Sequence, residues 1–160
     1  MKTFLKQTPK GFTLIEILVV IGIIAILAAV VIIAINPARQ FAQARNSQRQ
    51  SNIESILNAV GQNLADHKGI LSGCTISSSG TSTIGTNSGT AADGTPYLNM
   101  SGCLDTYLPG GIPMDPNGGW AGDTGYKVVI DSNSRVQVCA PNANETALGT
   151  DNPKDICVTR

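Results

Sequence analysis

Hydrophobic and polar positions divide the chain into three regimes. From Ile17 to Ile35, nineteen residues carry no charge and no strongly polar side chain, and the run closes on Asn36-Pro37. Apolar residues occupy every face, so the run has no solvent side. Many are β-branched (Val19, Val20, Ile21, Ile23, Ile24), which would suit a buried strand. Strands seldom exceed about ten residues, so length selects a helix. Such a helix is roughly 28 Å long, close to the hydrocarbon thickness of a bilayer. Gly22 and Pro37 are its weak points. Pro37 removes a backbone hydrogen bond and clashes with the carbonyl four residues back, which predicts a kink near Ile33.

From Ala38 to Lys68 the pattern stays helical but becomes striped. Phe41 and Ala42, then Ile53, Ile56, Leu57, Val60 and Leu64, recur at three- and four-residue spacing. Between them, residues 45–52 (Arg-Asn-Ser-Gln-Arg-Gln-Ser-Asn) are polar on every side. Arg45 and Arg49 are like charges one turn apart, mildly repulsive in isolation. This segment reads either as a solvated helical link or as a face that meets acids on a neighbouring subunit. Only Ile53 to Leu64 has apolar surface enough to pack against a domain of its own. Lys68-Gly69 supplies a C-terminal cation and a stop.

The third regime, residues 69–160, is β-rich and full of turns. Residues 72–96 are rich in Ser, Thr and Gly and read as a surface loop with at most one or two short strands. Asp115-Pro116-Asn117-Gly118 has the residue order of a type I turn. Tyr126, Val128 and Ile130 alternate, residues 131–134 turn, and Val136, Val138 and Ala140 alternate again, the pattern of a hairpin. A last strand is expected over Ile156-Cys157-Val158. The expected fold class is α+β: a long N-terminal helix, its hydrophobic half protruding and its second half packed on a small antiparallel sheet.

Charge adds an orientation. Lys2, Lys6 and Lys10 give the first eleven residues +3, leaving 8 Lys/Arg against 11 Asp/Glu, a net of −3, in the remainder. Basic residues before an apolar span stay cytoplasmic, which sends the rest across the membrane. Four cysteines, all beyond residue 70, fit that oxidising side. Of the three connectivities, Cys74–Cys103 with Cys139–Cys157 is favoured because both loops are local. No strongly basic patch points to nucleic acid. A cleaved secretory signal is the plainer alternative, with Ala25, Ala28 and Ala29 as small residues near a cut. It fits poorly, because the apolar run is long and a glutamate stands at its start.

Gly11-Phe12-Thr13-Leu14-Ile15-Glu16, with a short basic leader before it and some twenty apolar residues after it, resembles the N-terminus of type IV prepilins and type II secretion pseudopilins. The motif match covers residues 11–37. The resemblance implies that a prepilin peptidase removes the leader, residues 1–11, by cutting after Gly11, and that the new N-terminus, Phe12, is methylated. Residues 12–37 then serve as a membrane anchor and later as a filament core, and residues 38–68 continue the helix. The globular head, residues 69–160, carries the loop 72–96 and a C-terminal disulfide loop 139–157, like the disulfide-bounded region of true pilins. Glu16 is costly as a plain membrane residue, about 2.5–3.5 kcal/mol at a span centre. In the family's filament it can meet the Phe12 amine of a neighbour, neutralising both charges and setting the axial register. Gly22 and Pro37 can bound a stretch that melts for extensibility, although this proline falls about one turn later than in many members.

Leu108-Pro109, Ile112-Pro113-Met114-Asp115-Pro116 and Tyr126 look like the turn region of the major pseudopilins, some of which bind calcium there. Asp115, Asn117, Asp123 and Asp131 are the candidate donors, against the usual structural turn; their spacing does not match an EF-hand. Asn99-Met100-Ser101 and Asn144-Glu145-Thr146 match the short N-glycosylation triplet. His67 is the only histidine, and no residue set has the spacing of a catalytic or metal centre. The expected protein is a major pilin precursor that is not an enzyme. Its partners are copies of itself in a helical homopolymer, the prepilin peptidase, an inner-membrane assembly platform and, before assembly, the membrane. Its location is the inner membrane with the head outside, then an extracellular pilus. A type II secretion pseudopilin is the alternative, and a membrane-anchored extracytoplasmic enzyme or binding module the remote one.

Overall fold

The computed structural model describes residues 11–76, 80–87, 89–151 and 153–160. Most of the expected leader, residues 1–10, and four serines of the expected loop (77–79 and 88) lie outside the described residues. The chain divides into two compact units, residues 1–37 and 38–160.

Among its described residues the first unit contains one helix, α1, Leu14–Ala34. It ends where Ile35 turns extended (φ −103°, ψ 124°), its N–H donating to Val31 O at 3.1 Å. The next helix, α2, opens at Pro37 and runs to Asp66. The kink expected near Ile33 is therefore a full interruption, and residues 12–37 are not one helix. The residue before a proline is pushed out of the helical region, while proline itself suits the first position of a new helix. Along α1 the window Leu14–Ile33 is long and apolar enough to cross a membrane, and none of it is buried within the chain.

In the second unit, α2 lays Ile53, Ile56, Leu57, Ala59 and Val60 into the core. Each large side chain buried there contributes about 1.5–3 kcal/mol. The upper half departs from expectation twice. Phe41 is 65 % exposed, so the stripe fails there, whereas Arg49 is completely buried. The helix ends in a Schellman motif: Gly69 N–H donates to Leu64 O at 2.7 Å, and Lys68 takes the left-handed conformation (φ 56°) that glycine usually fills.

Five strands form one sheet: β1 Ser82–Ile84, β2 Tyr97–Leu98, β3 Lys127–Ile130, β4 Val136–Ala140 and β5 Ile156–Thr159, in the order β2-β1-β3-β4-β5. The sheet is mixed and not wholly antiparallel, because β1 and β2 run parallel. The expected hairpin is β3–β4, with Ile130 facing Val136 and the turn closed by Asp131 N–H to Arg135 O at 2.8 Å. The Ser/Thr/Gly-rich stretch holds a short strand, as expected, but that strand is not at the surface. It is β1, an interior strand buried at all three residues, with Ile84 packed against Met100, Leu104, Tyr126, Val128 and Val138. A short helix, α3 (Ser101–Leu104), carries Cys103 beside this core.

Two disulfides join Cys74 to Cys103 and Cys139 to Cys157, with Cα atoms 5.5 and 4.1 Å apart. Cys139 and Cys157 stand directly opposite on β4 and β5, so their bond staples the edge strand to its neighbour. Val138 and Ala140, on the other face, are buried in the core.

Candidate processing and assembly sites

The segment Gly11–Thr13 is outside the helix, and Phe12 is 84 % exposed. A peptide bond there is open to a protease. A Cβ at Gly11 would meet nothing within 4 Å, and its backbone is not in the left-handed region. Among the described residues neither packing nor conformation asks for glycine at position 11. Gly22, mid-helix, is likewise uncrowded, though it costs the helix about 1 kcal/mol relative to alanine.

Thr13 and Glu16 close a capping box. Glu16 N–H donates to Thr13 Oγ1 at 3.3 Å, while Glu16 Oε2 accepts from the Thr13 N–H and hydroxyl, both at 2.8 Å. Two orphan donors at the helix start are thereby satisfied. The Thr-x-x-Glu spacing is a known helix-start signature, and reading Glu16 only as a charge misses it. The carboxylate thus has a local partner one residue beyond Phe12.

The second site joins α2 to the head through the polar stretch 45–52, whose pattern suits a solvated link or a subunit contact. Arg49 donates through Nε and Nη2 to the two carboxylate oxygens of Asp115, at 2.7 and 3.0 Å. Its Nη1 donates to Glu145 Oε1 at 2.6 Å and to Asn46 Oδ1 at 2.7 Å. Arg45 pairs with the same glutamate. The acids that meet this face are the chain's own. One turn below, Asn52 Nδ2 donates to Tyr126 Oη at 2.7 Å and to Met114 O at 3.1 Å. Hydrogen bonds from Arg45 hold the Glu145 carboxyl down at about 2 against desolvation, with Arg49 adding to the effect. Burial opposes the charge on Arg49, but its bonds to Asp115 and Glu145 outweigh that and raise its pKa. Burial likewise raises the Tyr126 phenol.

The fold makes room for this clasp with glycine. A Cβ at Gly119 would collide with the backbone of Asp115 and Thr124, and Gly125, at φ 78°, lies against the Asp115 side chain. The turn closes one residue later than a type I turn, with Gly119 N–H donating to Asp115 O at 3.1 Å.

Of the candidate calcium donors, Asp115 is taken by Arg49, and its Oδ1 also accepts the Asn117 N–H at 2.8 Å. Asp123 accepts from Tyr97 Oη and Gly125 N–H, both at 3.0 Å, and Asp131 is bound into its own hairpin by Asn133 and Arg135. Among the described residues no three acidic, histidine or cysteine side chains converge as a metal site. Asn99 is exposed, its Oδ1 accepting from Ser101 N–H and Oγ.

Residues 7–34 match the family described as the prokaryotic N-terminal methylation motif. Over 115 residues the chain is 34 % identical to the type IV major fimbrial protein FimA of Dichelobacter nodosus strain VCS1703A, and equally to that named FimA from Dichelobacter nodosus. The aligned stretch spans 71 % of this chain and 65 %, just under two thirds, of those relatives' own length. No solved structure matches significantly. The methylation motif, the exposed apolar helix and the α+β head stapled by disulfides make this chain similar to the type IV pilins.

Proposed function

We propose that this chain is a major pilin precursor, a structural subunit that polymerises into a type IV pilus. The observation that carries the reading is α1 itself. Every described apolar side chain from Leu14 to Ile33 is exposed, an arrangement tolerable only in lipid or against other helices. A prepilin peptidase cuts after Gly11, Phe12 becomes the methylated N-terminus, and the precursor waits in the inner membrane with its head outside. Polymerisation by an inner-membrane platform exchanges lipid around residues 12–35 for like helices. The amine of Phe12 then meets Glu16 of a neighbour, which spares the filament core an unpaired carboxylate. The head forms the outer surface of the pilus, where it serves adhesion, motility or DNA uptake and not catalysis. The two named relatives are major fimbrial proteins, which favours a pilus over a secretion pseudopilus.

N-terminal sequencing with the intact mass of the mature protein tests the reading. The expected start is methylated Phe12, with long filaments in sheared surface preparations. A start at Met1, or beyond Ala25, would refute it.

A further inference from the structure

We infer that Asn117 is a built-in deamidation site, at which the turn beside the buried clasp converts an amide to a carboxylate without an enzyme. Asn117-Gly118 is the only asparagine–glycine step in the chain. The reaction needs three things: a side-chain carbonyl carbon free to swing, a following backbone nitrogen free to attack, and no side chain on the attacking residue. All three meet here. Asn117 and Gly118 are both exposed. Among the described residues the Asn117 amide has no hydrogen-bond partner; only its backbone N–H is engaged, with Asp115 Oδ1. The Gly118 N–H is also without a partner among those residues, because the turn closes through the next nitrogen, that of Gly119.

Two comparable steps among the described residues are held. At Asn133-Ser134 the attacking nitrogen is occupied, Ser134 N–H donating to Asp131 O at 3.0 Å. At Asp93-Gly94 the Gly94 N–H donates to Ala91 O at 2.9 Å, and the Asp93 carboxylate is bound by Lys127 and Thr95.

The step balances with water as its only co-reactant. The Gly118 nitrogen forms a bond to Asn117 Cγ, the Cγ–Nδ2 bond breaks, and the displaced nitrogen leaves as ammonia with the proton from Gly118. Water then opens the five-membered imide, restoring the Gly118 N–H. Opening at one carbonyl leaves aspartate; opening at the other leaves isoaspartate, with one extra backbone carbon. That extra carbon falls inside the loop whose far end, Gly119, has no clearance from Asp115 and Thr124. The fold therefore biases the product towards ordinary aspartate. Either product places a second negative charge two residues from Asp115, in a hollow of about 370 Å³ that Asn117 lines together with Glu145.

The test incubates the full-length, detergent-solubilised protein in mildly alkaline buffer prepared with heavy-oxygen water and maps its peptides by mass over time. Expected are uptake of one heavy oxygen at Asn117 faster than at any other asparagine, a rate within an order of magnitude of the denatured chain's, and a smaller isoaspartate share than in the denatured chain. Asn117→Gln should lose the fast event while Asn133 is unaffected. If Asn117 stays intact while Asn133 converts, or if folding slows the reaction by more than an order of magnitude, the turn is protective and the inference fails.

Discussion

The two long helices invert the usual rule of burial. α1 is apolar on all sides and wholly exposed within its own chain, whereas α2 is largely polar yet hides a complete arginine. Residue character alone does not say where a helix lies; what matters is which partner removes the water. For α2 the partner is the chain's own head, and the polar positions are satisfied one by one: Arg49 by Asp115 and Glu145, Asn52 by Tyr126 and Met114, Asn63 by Ser72 and Cys103. For α1 no covering partner is present among the described residues.

That contrast can be broken most severely at Glu16. Glu16→Ala removes the capping box and the charge together, while Glu16→Gln keeps the cap and removes only the charge. Both variants should still be cut after Gly11, and both should lose surface filaments under the electron microscope. Normal filaments from Glu16→Gln would reduce the residue to a helix cap. The next largest effect is expected in α2. Arg49→Ala leaves Asp115 buried without its cation and should cost about 3–5 kcal/mol in urea unfolding of the solubilised protein. Replacing the clasp with apolar residues of matching volume should cost far less, since desolvation offsets most of a buried pair's attraction.

Acid tests the same clasp more gently. The Glu145 carboxyl is lowered from 4.5 to about 2 on folding. Its stabilising contribution is therefore complete above pH 4.5 and lost as pH falls towards 2. Urea midpoints measured across that window should fall more steeply for the wild type than for Glu145→Gln. The smallest expected effect is at the end of α2. Lys68→Gly relieves a left-handed lysine and should raise stability by about 1 kcal/mol.

The regular patterns were readable before any coordinates. Uniform apolarity and length announce α1, three- and four-residue spacing announces the lower half of α2, and strict alternation announces β3 and β4. What escaped depends on distant partners or on small residues. Arg49 finds acids 66 and 96 positions away, and nothing local in 45–52 marks it as buried. The burial of β1 is not legible either, because the composition of its Ser/Thr/Gly-rich stretch places any short strand there at the surface. β1 lies between β2 and β3, and Ile84 belongs to the core cluster. Phe41 fits the helical stripe and is nonetheless exposed, because periodicity identifies a face without showing how far the head extends along it. The capping box at Thr13 was the opposite case, a local signal in plain view behind the more conspicuous charge of Glu16.

The interruption at Ile35 also acts as a depth gauge. The carbonyl of Val31 is taken by Ile35 N–H, but Pro37 has no N–H to offer the carbonyl of Ile33. A helix end that lacks one backbone donor is accommodated more readily at the level of the headgroups than in hydrocarbon. At the other end Glu16, although bonded to Thr13, carries a charge that favours the opposite headgroup region. Between Glu16 and Ile33 the helix rises roughly 26 Å, a little under the thickness of a typical hydrocarbon core. In a bilayer, a helix of this length would thus carry one polar feature near each surface, one from a side chain and one from the main chain.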